Sequence, residues 1–135
     1  MRYLLDTNIV SDLIRNPQGV ITDRIHDVGE QAVCTSIIVA AELRYGATKR
    51  NAPRLTAQVE SVLGALEIMP FDAPADETYG KLRDRLERSG QPIGGNDLLI
   101  AAQCIALGCT IVTDNEREFA RVHELPCENW LRSAR

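Results

Sequence analysis

The feature of the sequence that most constrains the fold is its alternation of short apolar runs with longer helical stretches. The runs are typical of buried strands and fall at residues 3–5, 32–36, 67–71 and 110–113, with 128–130 as a candidate last strand. Helices are predicted from the first strand to about residue 15 and at residues 20–28, 37–50, 55–66, 74–89, 97–108 and 116–122. This pattern predicts an α/β fold with a mainly parallel central sheet of about five strands and helices on both faces.

Composition limits the classes of protein that this chain can belong to. Its 135 residues are predicted to form one domain, residues 1–135, with a core of aliphatic side chains, because aromatic residues make up only 4% of the chain. The formal net charge of -4 argues against a protein that coats nucleic acid through its overall charge, although it leaves room for local basic patches.

Targeting and cysteine patterns point to a reducing compartment. The longest uncharged stretch, residues 98–113, is too short and too polar to cross a bilayer, and no secretion leader is recognisable, so we expect a cytoplasmic protein without membrane contact. The cysteines match no zinc-ligand spacing and are predicted to be reduced thiols; they are Cys34, Cys104, Cys109 and Cys127.

Several polar residues are predicted to meet at one edge of the sheet. Asp6 follows the first strand, and Asp114 and Asn115 follow the strand at 110–113. Asp97 lies in the first turn of the helix that leads into that strand, so it starts at the same edge. Ligand sites of open parallel sheets form at the carboxyl ends of the strands, and this is the edge where these residues lie.

Glu42 is the most informative acid because it lies in the middle of a helix, where a cap cannot explain it. Taken singly, Asp6 and Asp97 could be helix caps, Glu42 a partly exposed helix residue and Asp114 a turn residue. Several carboxylates at one edge cannot all ionise unless a cation joins them. Oxygen ligands without His or Cys favour Mg²⁺, with Mn²⁺ as a substitute.

Four motifs, which span nearly the whole chain, carry a resemblance to a known family. They are "LLDTNIVSDL" (4–13), "AAELRYGATK" (40–49), "PIGGNDLLIAA" (92–102) and "IVTDNEREFARV...ENW" (111–130). In this order the chain resembles the PIN-domain ribonucleases and, among them, the VapC toxins of bacterial toxin–antitoxin pairs. The resemblance implies a PIN-like fold, Mg²⁺-dependent cleavage of RNA, a homodimer, and a VapB-type antitoxin that blocks the active site within a larger assembly.

The resemblance also implies a set of site residues. Asp6, Glu42 and Asp97 match the acidic positions of the family and would hold the metal, which makes hydroxide available from a bound water. The fourth position of the family matches Asn115, whereas charge favours Asp114. Both therefore stay candidates, with Asn115 expected to face the metal edge and Asp114 to turn away and cap the following helix. The motifs "NDLLIAA" and "REFARV...ENW" resemble those of toxins that cut initiator tRNA.

RNA would bind through local basic residues. The acid-free segment after Glu42 contains the first group of candidates, which are Arg44, Lys49, Arg50 and Arg54. A second group of candidates, Arg117 and Arg121, lies beside Asp114 at the same edge of the sheet. Tyr45 could stack on a base, although a packing role is as plausible.

Other functions fit the sequence less well. A strand that ends in Asp6 also occurs in haloacid-dehalogenase-like phosphatases, but Asn8 stands where their second Asp belongs and their downstream Lys is not evident. A phosphorelay receiver domain would need an acid pair and a Lys that we do not find. A catalytically inert PIN-like binding module is the remaining alternative. The two histidines, His26 and His123, do not suggest a histidine-based nuclease.

Overall fold

The central sheet has five parallel strands in the order β3-β2-β1-β4-β5 within residues 2–132, which are the residues that the computed structural model describes. The strands are β1 (Tyr3–Leu5), β2 (Val33–Ser36), β3 (Glu67–Met69), β4 (Thr110–Val112) and β5 (Cys127–Glu128). The predicted α/β fold and parallel sheet are confirmed. The last strand begins one residue earlier than predicted and excludes Asn129, whose Oδ1 accepts a hydrogen bond from the backbone N–H of Leu131 in a turn.

Seven α-helices lie between these strands in the described part of the chain. They are α1 (Thr7–Arg15), α2 (Val20–Val28), α3 (Ile37–Arg50), α4 (Pro53–Ala65), α5 (Ala75–Arg88), α6 (Gly95–Leu107) and α7 (Glu116–Phe119). The last helix is shorter than predicted because the N–H groups of Arg121 and Val122 bond to carbonyls three residues back, which tightens the chain into turns. Among residues 2–132, we find no helix with the length and apolar character that a membrane span requires.

The order of the strands creates a switch point between β1 and β4. From β1 the chain moves outward to β2 and β3 and then returns to place β4 on the other side of β1. Leu5 therefore pairs with Thr35 on one side and with Val112 on the other. The connections diverge at this point and leave a crevice at the carboxyl ends of β1 and β4, which is where ligands bind in open α/β sheets.

The core is built mainly from aliphatic side chains, as the composition predicts. Leu4, Leu5 and Ile111 of the central strands are fully buried, and Phe119 and Trp130 are the largest buried side chains. The four cysteines are free thiols, as predicted; three are buried and Cys127 is exposed. Helices α1, α3 and α4 pack against one another and α5 packs against α6, so the site residues stand on a rigid frame.

Candidate active site

Asp6 occupies the switch point and serves the local backbone as well. It is the N-cap of α1, where its Oδ1 accepts a hydrogen bond from the N–H of Thr7 at 2.8 Å. Its Oδ2 accepts a bond from the hydroxyl of Thr113, which follows β4, at 2.8 Å. Burial raises the pKa of Asp6, and the hydrogen bonds from Thr113 and Thr7 oppose that rise. Cap and site residue are therefore compatible roles for this carboxylate.

Glu42 reaches the same crevice from α3. The Ser36 hydroxyl caps this helix by accepting a hydrogen bond from the N–H of Ile38. Glu42 lies more than a turn further on and is half-buried. Its carboxylate accepts one hydrogen bond from the Thr7 hydroxyl and another from the amide of Asn96 at 2.9 Å. These contacts tie α3 to the first turns of α1 and α6.

Asp97 stands in the first turn of α6 but does not cap it, because the N-cap is Gly94. Its Oδ2 accepts a hydrogen bond from the amide of Asn115 at 3.2 Å. Burial, followed by repulsion from Asp6, Glu118 and Glu42, raises the pKa of Asp97 to about 7. A carboxyl group whose pKa is raised by burial and by neighbouring acids is typical of a functional site.

Glu118 is a member of the cluster that the sequence did not reveal. Its carboxylate accepts hydrogen bonds from the backbone N–H of Gly94 and, at 3.3 Å, from the amide of Asn115. The bond from Gly94 is the main reason why the pKa of Glu118 is lowered. A proton on Asp97 can be shared with Glu118. The only feature of the sequence that could have indicated Glu118 is its position three residues after Asn115, because residues with this spacing in a helix are neighbours.

The structure separates the two candidates that follow β4. Asn115 is half-buried and its amide faces Asp97 and Glu118. Asp114 is exposed, and its Oδ1 accepts a hydrogen bond from the amide of Asn129 at 2.9 Å. The prediction that Asp114 caps the next helix is wrong, because α7 begins after Asn115 without a side-chain cap. The physical reason is that Asn129 draws the carboxylate toward the last strand.

The basic candidates differ in what they contact. The guanidinium of Arg44 pairs with Glu60, at 2.9 and 3.0 Å, so it is not the free cation that the acid-free segment suggested. The Nζ of Lys49 lies 5.9 Å from the ring centre of Tyr45, which is 66% exposed. Arg50 lines a groove together with Glu42. Arg54 and Arg117 are exposed.

The side chains fit a divalent cation in chemistry and charge. The cluster offers carboxylate and amide oxygens, the ligands that Mg²⁺ and Mn²⁺ prefer, and contains no His or Cys. Within residues 2–132, no three acidic, His or Cys side chains already form a closed cage for a metal. The carboxylates are instead held by hydrogen bonds from Thr7, Asn96, Thr113 and Asn115, and the mutual repulsion felt by Asp97 is what a cation would relieve.

Comparison with known proteins identifies the family of this chain. A family model described as a PIN domain matches residues 3–125. "Ribonuclease VapC2" of Rickettsia felis is 39% identical over 96% of this chain and 98% of its own length. "tRNA(fMet)-specific endonuclease VapC" of Shigella flexneri is 35% identical over 96% and 98%.

Solved structures of related proteins have the same fold. The crystal structure of VapBC2 from Rickettsia felis bound to a promoter DNA fragment contains a chain with a TM-score of 0.89 and 38% identity, covering 96% of this chain and 99% of that one. DNA-bound VapBC from Salmonella typhimurium gives a TM-score of 0.90 at 36% identity, with coverages of 96% and 98%.

The chain therefore belongs to the PIN-domain family and, within it, to the VapC endoribonucleases. Nucleases of this family depend on a divalent metal ion. Membership excludes the phosphatase and receiver-domain interpretations of Asp6, and it confirms the resemblance carried by the four sequence motifs.

Proposed function

We propose that this chain is the toxin of a VapBC-type pair and that it hydrolyses RNA phosphodiester bonds with Mg²⁺ in the cytoplasm, as a single domain spanning residues 1–135. One observation carries the proposal. Asp6, Glu42 and Asp97 come from three different elements and share one crevice, in which burial and repulsion by neighbouring acids raise the pKa of Asp97 to about 7. An edge that concentrates negative charge in this way is suited to a cation and, through it, to a phosphate.

Each side chain has a part in this reaction. Asp6, Glu42 and Asp97 would hold Mg²⁺, which supplies a hydroxide from a bound water near neutral pH and neutralises charge on the phosphate. Thr113 and Thr7 orient the carboxylates of Asp6 and Glu42 through their hydroxyl groups.

Asn115 holds Asp97 and Glu118 in place through its amide. Neutral hydrogen-bond donors of this kind orient acidic ligands without competing for the cation. In this arrangement Asn115 occupies the fourth position of the site and Asp114 lies outside it.

Initiator tRNA is the substrate that we propose. The Shigella flexneri relative, 35% identical over nearly the whole chain, carries the name of a tRNA(fMet)-specific endonuclease. Purified protein without antitoxin is incubated with initiator tRNA, elongator tRNA and ribosomal RNA, with Mg²⁺ or with EDTA, and the RNA ends are sequenced. We expect one cut in initiator tRNA that disappears in EDTA.

The Asp6→Asn protein is the control in this assay, because Asn keeps the helix cap while removing the charge. Cleavage by that variant, or cleavage in EDTA, contradicts the proposed site. Absence of any cleavage by the unmodified chain with Mg²⁺ or Mn²⁺ favours the inert binding module.

The partner that we propose is a VapB-type antitoxin, since three of the similar structures are VapBC complexes. The acidic crevice predicts that an Arg or Lys of the antitoxin reaches Asp6, Glu42 or Asp97. Replacing that Arg or Lys by Gln should weaken the inhibition of RNA cleavage more than it weakens the association of antitoxin with toxin. Full inhibition by an antitoxin without a base at the site contradicts this mode of blocking.

We also propose a homodimer. Ile37 and Tyr45 expose apolar surface on α3, at 41% and 66% of their areas. Exposed apolar side chains on one helix are suited to burial against a second copy. Light scattering of the antitoxin-free protein is expected to give the mass of a dimer, and Ile37→Lys with Tyr45→Lys is expected to shift it toward a monomer.

A further inference from the structure

A groove of about 290 Å³ opens from the acidic crevice along α1, α3 and α4. Thr7 and Glu42 belong both to the crevice and to this groove. The groove is therefore continuous with the place where the RNA bond would be cut. The groove offers space next to the crevice for the unit that adjoins a reacting phosphate.

Arg15 and Arg50 line the groove from the last turns of α1 and α3. Within residues 2–132, neither forms an ion pair, whereas the arginines at positions 2, 24, 44, 83, 85, 88 and 132 all pair with an acid. Two exposed guanidinium groups without acid partners, on one groove, are complementary to a phosphate.

Gly46 leaves open space in the wall of the groove. It lies in the middle of α3 and lines the groove, and a Cβ at this position would meet no atom within 4 Å. Glycine inside a helix is unfavourable relative to alanine. A larger side chain at this position would extend into the open space of the groove.

The floor of the groove is apolar and includes Ile14, Leu43 and Val59. An apolar floor with arginines on the rim suits a nucleotide. The flat face of the nucleobase needs apolar contact, and the phosphate needs a cation. We infer that this groove binds the nucleotide adjoining the cleaved bond, with its phosphate between Arg15 and Arg50 and its base on the floor. The inference rests on the proposed ribonuclease function.

A segment of the antitoxin is the other candidate occupant. The inhibitory segment expected at the acidic crevice carries an Arg or Lys, and the positive charges of Arg15 and Arg50 repel another positive charge. The charge of the rim therefore favours RNA.

Binding of RNA can be measured without cleavage in the Asp97→Asn protein. The probe is a short fluorescein-labelled single-stranded RNA of mixed sequence, titrated with Mg²⁺ present and followed by anisotropy. Adding Arg15→Gln or Arg50→Gln is expected to raise the Kd about tenfold, as for loss of one charged hydrogen bond to a phosphate. Each change should also lower the salt dependence of log Kd by about 0.7, the value for one contact with single-stranded nucleic acid. Lys81→Gln on α5 is the control for net charge and should leave the Kd unchanged.

A second test fills the groove with a larger side chain. Gly46→Leu is expected to raise the Kd at least as much as the arginine changes, while its melting temperature stays at or above that of the parent, because Leu is a better helix former than Gly. Gly80→Leu is the matched control. Gly80 also lies inside a helix, α5, with no atom within 4 Å of its Cβ position. That variant should bind RNA like the parent.

Failure of this inference can be told apart from failure of the proposed function. Cleavage of RNA by the unmodified protein with Mg²⁺ establishes the function whatever the groove does. If that protein cleaves RNA but all three groove variants bind the probe like the parent, the groove does not bind RNA. If the same three changes, made in the RNA-cleaving protein, also release it from inhibition by a co-expressed antitoxin, the groove belongs to the antitoxin, and this too overturns the inference.

Discussion

Two acidic regions of this molecule differ in how their charge is neutralised. On the outer side of α5, Arg83 pairs with Glu87 at 2.9 Å and Arg88 pairs with Asp84 at 2.8 Å, both one helical turn apart. At the crevice beside β1 and β4, no Lys or Arg of residues 2–132 forms an ion pair with Asp6, Glu42, Asp97 or Glu118.

The contrast shows in the titration of the carboxyl groups. Beside α5, the guanidinium of Arg85 lowers the pKa of Glu124. In the crevice, burial and neighbouring acids raise the pKa of Asp97 to about 7. A protein surface that serves only stability pairs its charges within the chain, whereas the crevice keeps charge that a bound ion can neutralise.

The largest expected effect is on catalysis. Asp97→Asn should lower the rate of RNA cleavage on the order of 10²–10³-fold, as expected when one charge-stabilising group leaves an active site. Asp84→Asn, the same chemical change on α5, should leave the rate unchanged. Circular dichroism checks that both variants are folded. A near-normal rate of cleavage by Asp97→Asn would show that Asp97 does not belong to the active site.

The two residues after β4 offer a sharper version of this comparison. Asn115→Ala should lower the cleavage rate about 10–100-fold, because it releases Asp97 and Glu118 from their shared donor. Asp114→Ala should keep the rate and lower the free energy of unfolding by no more than about 1 kcal/mol, for one exposed hydrogen bond to Asn129. The opposite pattern would make Asp114 the fourth acid of the site.

A moderate effect is expected on stability when a cation is added. Mg²⁺ at a hundredfold excess over its Kd should raise the free energy of unfolding by about 2.7 kcal/mol, since it binds the native state preferentially. Thermal melts with Mg²⁺ and with NaCl of equal ionic strength measure this. Asp6→Asn should abolish the difference, and an unchanged melting temperature for the unmodified chain would count against a preformed acidic site.

The last comparison concerns the pH dependence of stability without metal. The native state holds the proton of Asp97 more tightly than the unfolded chain does, because its pKa is raised to about 7. Its contribution to stability is therefore complete below about pH 4 and is lost as the pH rises through 7. Urea unfolding in EDTA should show this decline in the unmodified chain and a weaker one in Asp97→Asn. Equal slopes would contradict the shift.

Much of the site follows from local patterns, and the exceptions have identifiable causes. Asp6 could be placed because it ends an apolar run, and Glu42 because no cap explains an acid in mid-helix. Glu118 was missed because α7 is a single turn, too short for periodicity to show which side it faces. The pairing of Arg44 was missed because Glu60 belongs to the next helix, and the angle between two helices is not written in either of them.

Local patterns along the chain are enough to locate most strands and helices, to indicate a parallel sheet, and to place acids where strands end. The position of β4 beside β1 depends on the packing of the whole core, and it brings the Thr113 hydroxyl to Asp6 across 107 positions of the chain. The same packing turns Asn115 inward and Asp114 outward. The reason is physical: periodicity and capping depend on residues within a turn or two, whereas distances between side chains of different elements depend on how the whole core packs.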